Sequence, residues 1–160
     1  MHRGVFALPF FIAFAVAVFD QYTKALAIKK LAGGTIPIIK DIFHFTYVEN
    51  TGAAFGIFKD GNTVFTIVTA IILIGIIVAL IAIKPQDLYI KISSGLVLGG
   101  AVGNLLDRIF RGFVIDFLDF RVISYPVFNI ADSFIVIGAI IICVKFVFFE
   151  KKSGQENAKI

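Results

Sequence analysis

Between Val64 and Ile83 the chain runs the thickness of a bilayer without one charged residue. A helix needs roughly 20 residues to cross the hydrocarbon. Backbone inside lipid must satisfy its own hydrogen bonds, which leaves helices and closed barrels as the spanning structures. Three further apolar stretches have similar reach: Val5 to Ile28, Leu88 to Leu106 and Ile130 to Phe149. At 59% hydrophobic and 16% charged, the composition lies outside the balance of a water-soluble domain. The expected fold is an all-α membrane protein, one domain over 1–160, with four transmembrane helices at about 5–28, 64–83, 88–106 and 130–149.

Met1-His2-Arg3 before an apolar run, with Ala13-Phe14-Ala15 as a cleavage-like site, imitates a signal peptide. Asp20 and Lys24 favour a retained helix, because apolar character resumes around them and they stand four apart on one face, acid before base. Four spans place both termini on one side. Of the fifteen cations, seven (Arg3, Lys84, Lys91, Lys145, Lys151, Lys152 and Lys159) fall on the terminal side and eight on the other, so the count alone does not orient the chain. The basic tail over 150–160 and the short link from Lys84 to Lys91 favour the cytoplasm for the terminal side.

The cations are scattered rather than gathered into a stripe, which argues against nucleic acid and for contact with anionic membrane lipid. The one cysteine, Cys143, lies inside the last apolar stretch, so the chain has no disulfide or CxxC pattern. Neither His2 nor His44 belongs to a metal-binding spacing, and no metal or organic cofactor is expected.

Polar segments gather on the side opposite the termini. From Lys29 to Asn62 the chain alternates Ile36, Ile38 and then Phe43, Phe45, Tyr47, punctuated by Gly33-Gly34, Pro37 and Asn50-Thr51-Gly52. This pattern predicts short strands and turns, a small extracytoplasmic β-cradle at about 29–62 between helices 1 and 2. The connection at about 109–128 is also long, and its Phe, Ile and Val content argues against disorder. In the third helix Gly95, Gly99 and Gly103 recur every four residues, a groove for close helix approach that ends in Asn104, Asp107 and Arg108. A helix-end ion pair is the expected role of Asp107 and Arg108.

Six acids lie near this polar end: Asp20, Glu49, Asp107, Asp116, Asp119 and Asp132. Asp20 has Lys24 one turn on, Asp107 has Arg108 and Arg111, and Asp119 has Arg121, so these three read as ion-pair members. Asp116 and Asp132 have no adjacent cation. Two carboxylates brought together in low dielectric tend to share one proton, which suits one as general base toward water and the other as acid toward a carbonyl. Local sequence leaves other roles open. Asn129-Ile130-Ala131-Asp132 has the form of a helix cap, and Asp116 could be a turn carboxylate. No histidine in the late polar region could activate Ser124 or Ser133, and Cys143 lies too deep.

Five ordered motifs run through nearly the whole chain: Phe19-Asp20-Gln21-Tyr22-Thr23-Lys24, Asn50-Thr51-Gly52-Ala53-Ala54-Phe55-Gly56, Gly99 through Arg108, Gly112-Phe113-Val114-Ile115-Asp116-Phe117, and Phe128-Asn129-Ile130-Ala131-Asp132-Ser133. Together they resemble bacterial lipoprotein signal peptidases, the signal peptidase II family. The resemblance implies an aspartic endopeptidase of the bacterial cytoplasmic membrane, with both termini cytoplasmic and the active site toward the outer leaflet. It implies cleavage of diacylglyceryl-modified prolipoproteins before the lipidated cysteine, and sensitivity to the cyclic peptide globomycin. It carries the catalytic pair onto Asp116 and Asp132. Supporting or substrate-binding roles fall on Asp20, Lys24, Asn50, Gly52, Asn104, Asp107, Arg108 and Asn129. A proton-coupled transporter using the intramembrane charges as a relay and a purely structural assembly factor are the competing classes.

Overall fold

A computed structural model describes residues 7–31, 34–52, 61–123 and 125–149. The expected tail over 150–160 and the Ala53–Gly56 part of the second motif lie outside the described residues. Four helices have the length and composition to cross a membrane: α1 (Leu8–Leu31), α2 (Asn62–Ile83), α3 (Leu88–Arg111) and α4 (Ile130–Val144), the last continued by a π-helical turn over Lys145–Phe149. Strands β1 (Thr35–Ile39), β2 (Phe43–Asn50) and β3 (Val114–Phe120) form one antiparallel sheet in that order. Because β1 and β2 link α1 to α2 while β3 links α3 to α4, the sheet stands at one end of the helices.

α1 runs to Leu31, beyond the expected end near Ile28, and takes Lys29 and Lys30 into its last turn, where cations face unpaired carbonyls favourably. α3 likewise continues past Leu106 to Arg111 before Gly112, at φ 82°, turns the chain in a left-handed conformation natural to glycine. α2 has long apolar side chains on nearly every face and only Leu73 and Leu80 buried, as a helix surrounded mostly by lipid should.

α3 is the central helix, packed on α1, α4 and α2. Lipid is as apolar as leucine, so helices associate through close packing of small residues rather than through the hydrophobic effect. Cβ atoms built on Gly95 and Gly99 would lie 2.8 Å from the Pro9 carbonyl oxygen and 2.6 Å from that of Ala13. This row is therefore the seat of α1. One step round the helix, a Cβ on Gly100 would lie 2.5 Å from the Ala131 carbonyl oxygen, in the first turn of α4. Ala13, Leu73, Leu98 and Ala101 form the buried centre of this packing.

The second loop departs from expectation. Within the 109–128 connection, Val114–Phe120 is a strand paired to β2, with Asn50 opposite Val114 and Val48 opposite Asp116. Asp116 is therefore a strand residue and not a turn carboxylate. Ile115 and Phe117 join Ala27 and Leu31 in a second apolar cluster that clamps the sheet to the end of α1. Phe128 exchanges backbone bonds with Leu118, at 2.8 and 3.1 Å, which returns the chain to β3 immediately before Asn129 begins α4.

Candidate active site

Asp116 and Asp132 line one cavity of about 180 Å³ with Asn50, Gly52, Asn104 and Arg108, walled by the chain from Tyr125 to Phe128. β3 delivers Asp116 and the first turn of α4 delivers Asp132. Asn50, at the end of β2, donates from Nδ2 to Asp116 Oδ2 at 2.8 Å while its Oδ1 accepts the Gly52 N–H at 3.0 Å. Asn129 Nδ2 donates to Asp116 Oδ1 at 2.7 Å. On the other carboxylate, Asn104 Nδ2 donates to Asp132 Oδ1 at 2.7 Å and the Asn129 backbone N–H to Oδ2 at 3.2 Å. Both carboxylates are thus held by neutral amides.

Asp132 also completes the capping box of α4, whose N-cap is Asn129. Its backbone N–H donates to Asn129 Oδ1 at 2.9 Å, and its carboxylate accepts from the Asn129 N–H, the reciprocal arrangement that satisfies two orphan donors at a helix start. Capping and membership of the site are one geometry here, so the two readings of this residue do not exclude each other. Burial first, and then the charge of Asp132, push the Asp116 carboxyl up to about 7 from the ordinary 3.8, against the bonds from Asn50 and Asn129. Asp119, eight per cent exposed, behaves differently. Burial alone would raise it, but bonds from Thr46 at 2.7 Å and Arg121 at 3.0 Å hold it below the usual carboxylate value.

Behind the cavity lies a charged cluster with no exposed surface. Lys24 Nζ reaches Asp20 Oδ2 at 2.8 Å, Asp107 Oδ2 at 2.9 Å and Asn104 Oδ1 at 2.8 Å. Asp20 Oδ1 accepts the Ala131 N–H at 3.0 Å, and Asp107 Oδ2 accepts the Ile115 N–H at 3.1 Å, so the cluster grips both α4 and β3. A charge this deep is tolerable only when paired and fully hydrogen-bonded, and this one is. Asp20 and Asp107 are ion-pair members as their neighbours indicated, with one correction. Asp107 pairs with Lys24 and with Arg111, one turn along α3, and not with Arg108. Arg108 instead lines the cavity, its guanidinium 5.7 Å from the Phe65 ring centroid and its buried Nε without a hydrogen-bond partner.

Of the ten residues singled out in the sequence, Asn50, Gly52, Asn104, Arg108, Asp116 and Asp132 line this cavity, Asp20, Lys24 and Asp107 form the cluster behind it, and Asn129 bonds to Asn104 and Asp116. Gln21 and Arg111 were not among them. Gln21 Nε2 donates to Asp107 Oδ1 at 2.9 Å and to the Gly103 carbonyl at 3.0 Å, and Arg111 donates to Gln21 Oε1 at 3.0 Å. Position 21 follows Asp20 directly, but its partners Gly103, Asp107 and Arg111 lie more than 80 residues away, and no local signal marks them.

Four membrane-length helices with a sheet at one end, and a pair of amide-held carboxylates where that sheet meets the helices, define a multi-pass membrane protein with a built polar site. Comparison with known proteins narrows this. The family described as Signal peptidase (SPase) II matches residues 12–148. A lipoprotein signal peptidase of Caldanaerobacter subterraneus subsp. tengcongensis is 46% identical over 139 residues, covering 86% of this chain and 93% of the relative. One from Brevibacillus brevis is 42% identical over 147 residues, covering 91% and 98%. A solved structure described as a bacterial membrane enzyme superposes with TM-score 0.78 at 35% identity, over 88% of this chain and 93% of that one. The chain belongs to the signal peptidase II family and is a membrane peptidase.

Proposed function

We propose that this peptidase is an aspartic endopeptidase that removes the signal peptide from diacylglyceryl-modified prolipoproteins, cleaving before the lipidated cysteine. The observation that carries the reading is the meeting of Asp116 and Asp132, sixteen residues apart in sequence, in one cavity where only amides hold them. The relatives' name supplies the lipoprotein substrate.

In the mechanism we assign, Asp116 carries the shared proton, consistent with a carboxyl pushed up to about 7 by burial and then by Asp132. Asp132, which accepts two N–H donors at the start of α4, is the general base. It takes a proton from water as the oxygen attacks the scissile carbonyl, while Asp116 gives its proton to the carbonyl oxygen. When the tetrahedral intermediate collapses, the proton on Asp132 passes to the leaving nitrogen and Asp116 recovers its own. Asn50, Asn104 and Asn129 hold the two carboxyl groups in register for these transfers, and no metal or organic cofactor takes part.

The enzyme is assigned to the bacterial cytoplasmic membrane, with both termini cytoplasmic and the sheet and cavity at the outer leaflet. There the lipid anchors of the substrate and the surrounding membrane lipid share one phase. Globomycin is expected to compete for the same cavity. The test is cleavage by purified protein in detergent, with no ion gradient, of a diacylglyceryl precursor and its unlipidated counterpart. Cleavage of the lipidated form and its block by globomycin support the proposal. A folded protein that cleaves neither, or that moves protons across vesicles instead, overturns it.

A further inference from the structure

An ammonium group has three donors and no acceptor. The three on Lys24 are all spent, on Asp20 Oδ2, Asp107 Oδ2 and Asn104 Oδ1, and no part of the side chain is exposed. The bond to Asn104 has a consequence that the other two do not. Asn104 Oδ1 also accepts from Asn129 Nδ2 at 3.1 Å, so both of its lone pairs are engaged by donors. Turning the amide over would set its NH₂ against the ammonium and its carbonyl oxygen against the Asp132 carboxylate, replacing three attractive contacts with repulsive ones. The NH₂ is therefore committed to Asp132 Oδ1, at 2.7 Å.

We propose that Lys24 is a positioning residue for cleavage. Through Asn104 it dictates which way an amide faces and so holds the general base in place, although it does not line the cavity. The inference rests on the reading of Asp116 and Asp132 as the working pair. Asp20 and Asp107 supply the countercharge that lets the cation sit so deep, and Arg111 balances the second of these acids. The cluster is thus a device for delivering one N–H to one amide oxygen, from behind the site.

The test is a double-mutant cycle in an Asp20→Asn background, where removal of the Lys24 charge leaves Asp107 paired with Arg111 rather than stranding an extra buried acid. Asp20→Asn is the reference; Lys24→Met, Asn104→Ala and the two together are added to it, and kcat and KM are measured on folded protein with a diacylglyceryl precursor. A loosening of the base by an ångström costs roughly 100-fold in turnover. Lys24→Met is expected to lower kcat by about that factor with KM nearly unchanged, and adding Asn104→Ala should then cost little more. A cation that only supports folding would lower thermal stability and leave kcat of the folded fraction unmoved. Retained kcat in the Lys24→Met protein, or losses that multiply, overturns the inference.

Wild type run alongside separates the two levels, because failure of wild type to cleave removes the working pair and not the amide geometry. That geometry has its own readout, independent of turnover. With ¹⁵N-asparagine labelling and Asn104→Ser for assignment, the Asn104 side-chain protons should exchange slowly with water in wild type, and faster in the Asp20→Asn protein once Lys24→Met is added. Rapid exchange in wild type, or a rate that Lys24→Met leaves unchanged, would overturn the inference.

Discussion

Gly100→Ala tests whether the packing of α3 on α4 sets the position of Asp132. The added Cβ would sit 2.5 Å from the Ala131 carbonyl oxygen and 2.8 Å from Ile135 Cγ1, where ordinary contact begins near 3.4 Å. Ile135 is a side chain and can turn aside, but the carbonyl is backbone in the first helical turn, next to Asp132. Relief requires the two helices to part by about 0.9 Å, and a shift of that size in a catalytic group costs roughly 100-fold in rate. Overpacking of this kind costs about 1–3 kcal/mol in stability, so the variant should still fold in detergent with a lower melting temperature. Gly75→Ala is the control, since nothing lies within 4 Å of a Cβ there, and it should keep wild-type turnover and unfold no earlier than wild type. Cleavage of a diacylglyceryl precursor followed by gel shift, together with thermal unfolding, reads both quantities. Wild-type turnover in folded Gly100→Ala would refute the link between this glycine and the site.

In the proposed mechanism the pair needs its shared proton, so cleavage is expected to fall as pH rises through about 7, the value to which burial and then Asp132 push Asp116; a flat rate from pH 6 to 9 would contradict this. The same shift has a stability sign. A carboxyl raised from 3.8 contributes native stability that is fully present below 3.8 and lost as pH rises through about 7, so the melting temperature should decline across that window and decline less in Asp116→Asn. Asn50→Ala removes a bond that holds the Asp116 carboxyl down, so the alkaline limb of the pH–rate profile should move upward while turnover drops. Gly103→Ala would place a Cβ 2.5 Å from Asp20 Oδ2, displacing Asp20 from Lys24, and should destabilise the fold by about 3 kcal/mol, read as thermal unfolding.

What could be read in the chain beforehand was whatever leaves a local pattern. Val64–Ile83 announces α2 because no charge interrupts it, and Gly95, Gly99 and Gly103 announce a groove because their spacing puts them on one face. The ion pair of Asp20 with Lys24 follows from one helical turn. The remainder depends on partners distant in sequence. β3 is a strand because β2, more than 60 residues earlier, pairs with it; Val114 to Phe120 taken alone is an apolar stretch with two acids. Asp107 turns to Lys24 on another helix rather than to its neighbour Arg108, because successive helical residues point about 100° apart and Arg108 faces the cavity. Asn129 shows the limit most clearly. Its cap on α4 is visible in the local sequence, whereas its bond to Asp116 appears only once Phe128 has been drawn against β3.

The most direct test of the central claim replaces each carboxylate by its neutral isostere. Asp116→Asn and Asp132→Asn, purified beside wild type and shown to unfold at comparable temperatures, are assayed for cleavage of a diacylglyceryl precursor. The proposed mechanism predicts cleavage by wild type and none detectable by either variant. Full turnover in a folded variant would remove that aspartate from the chemistry and contradict a mechanism built on the pair.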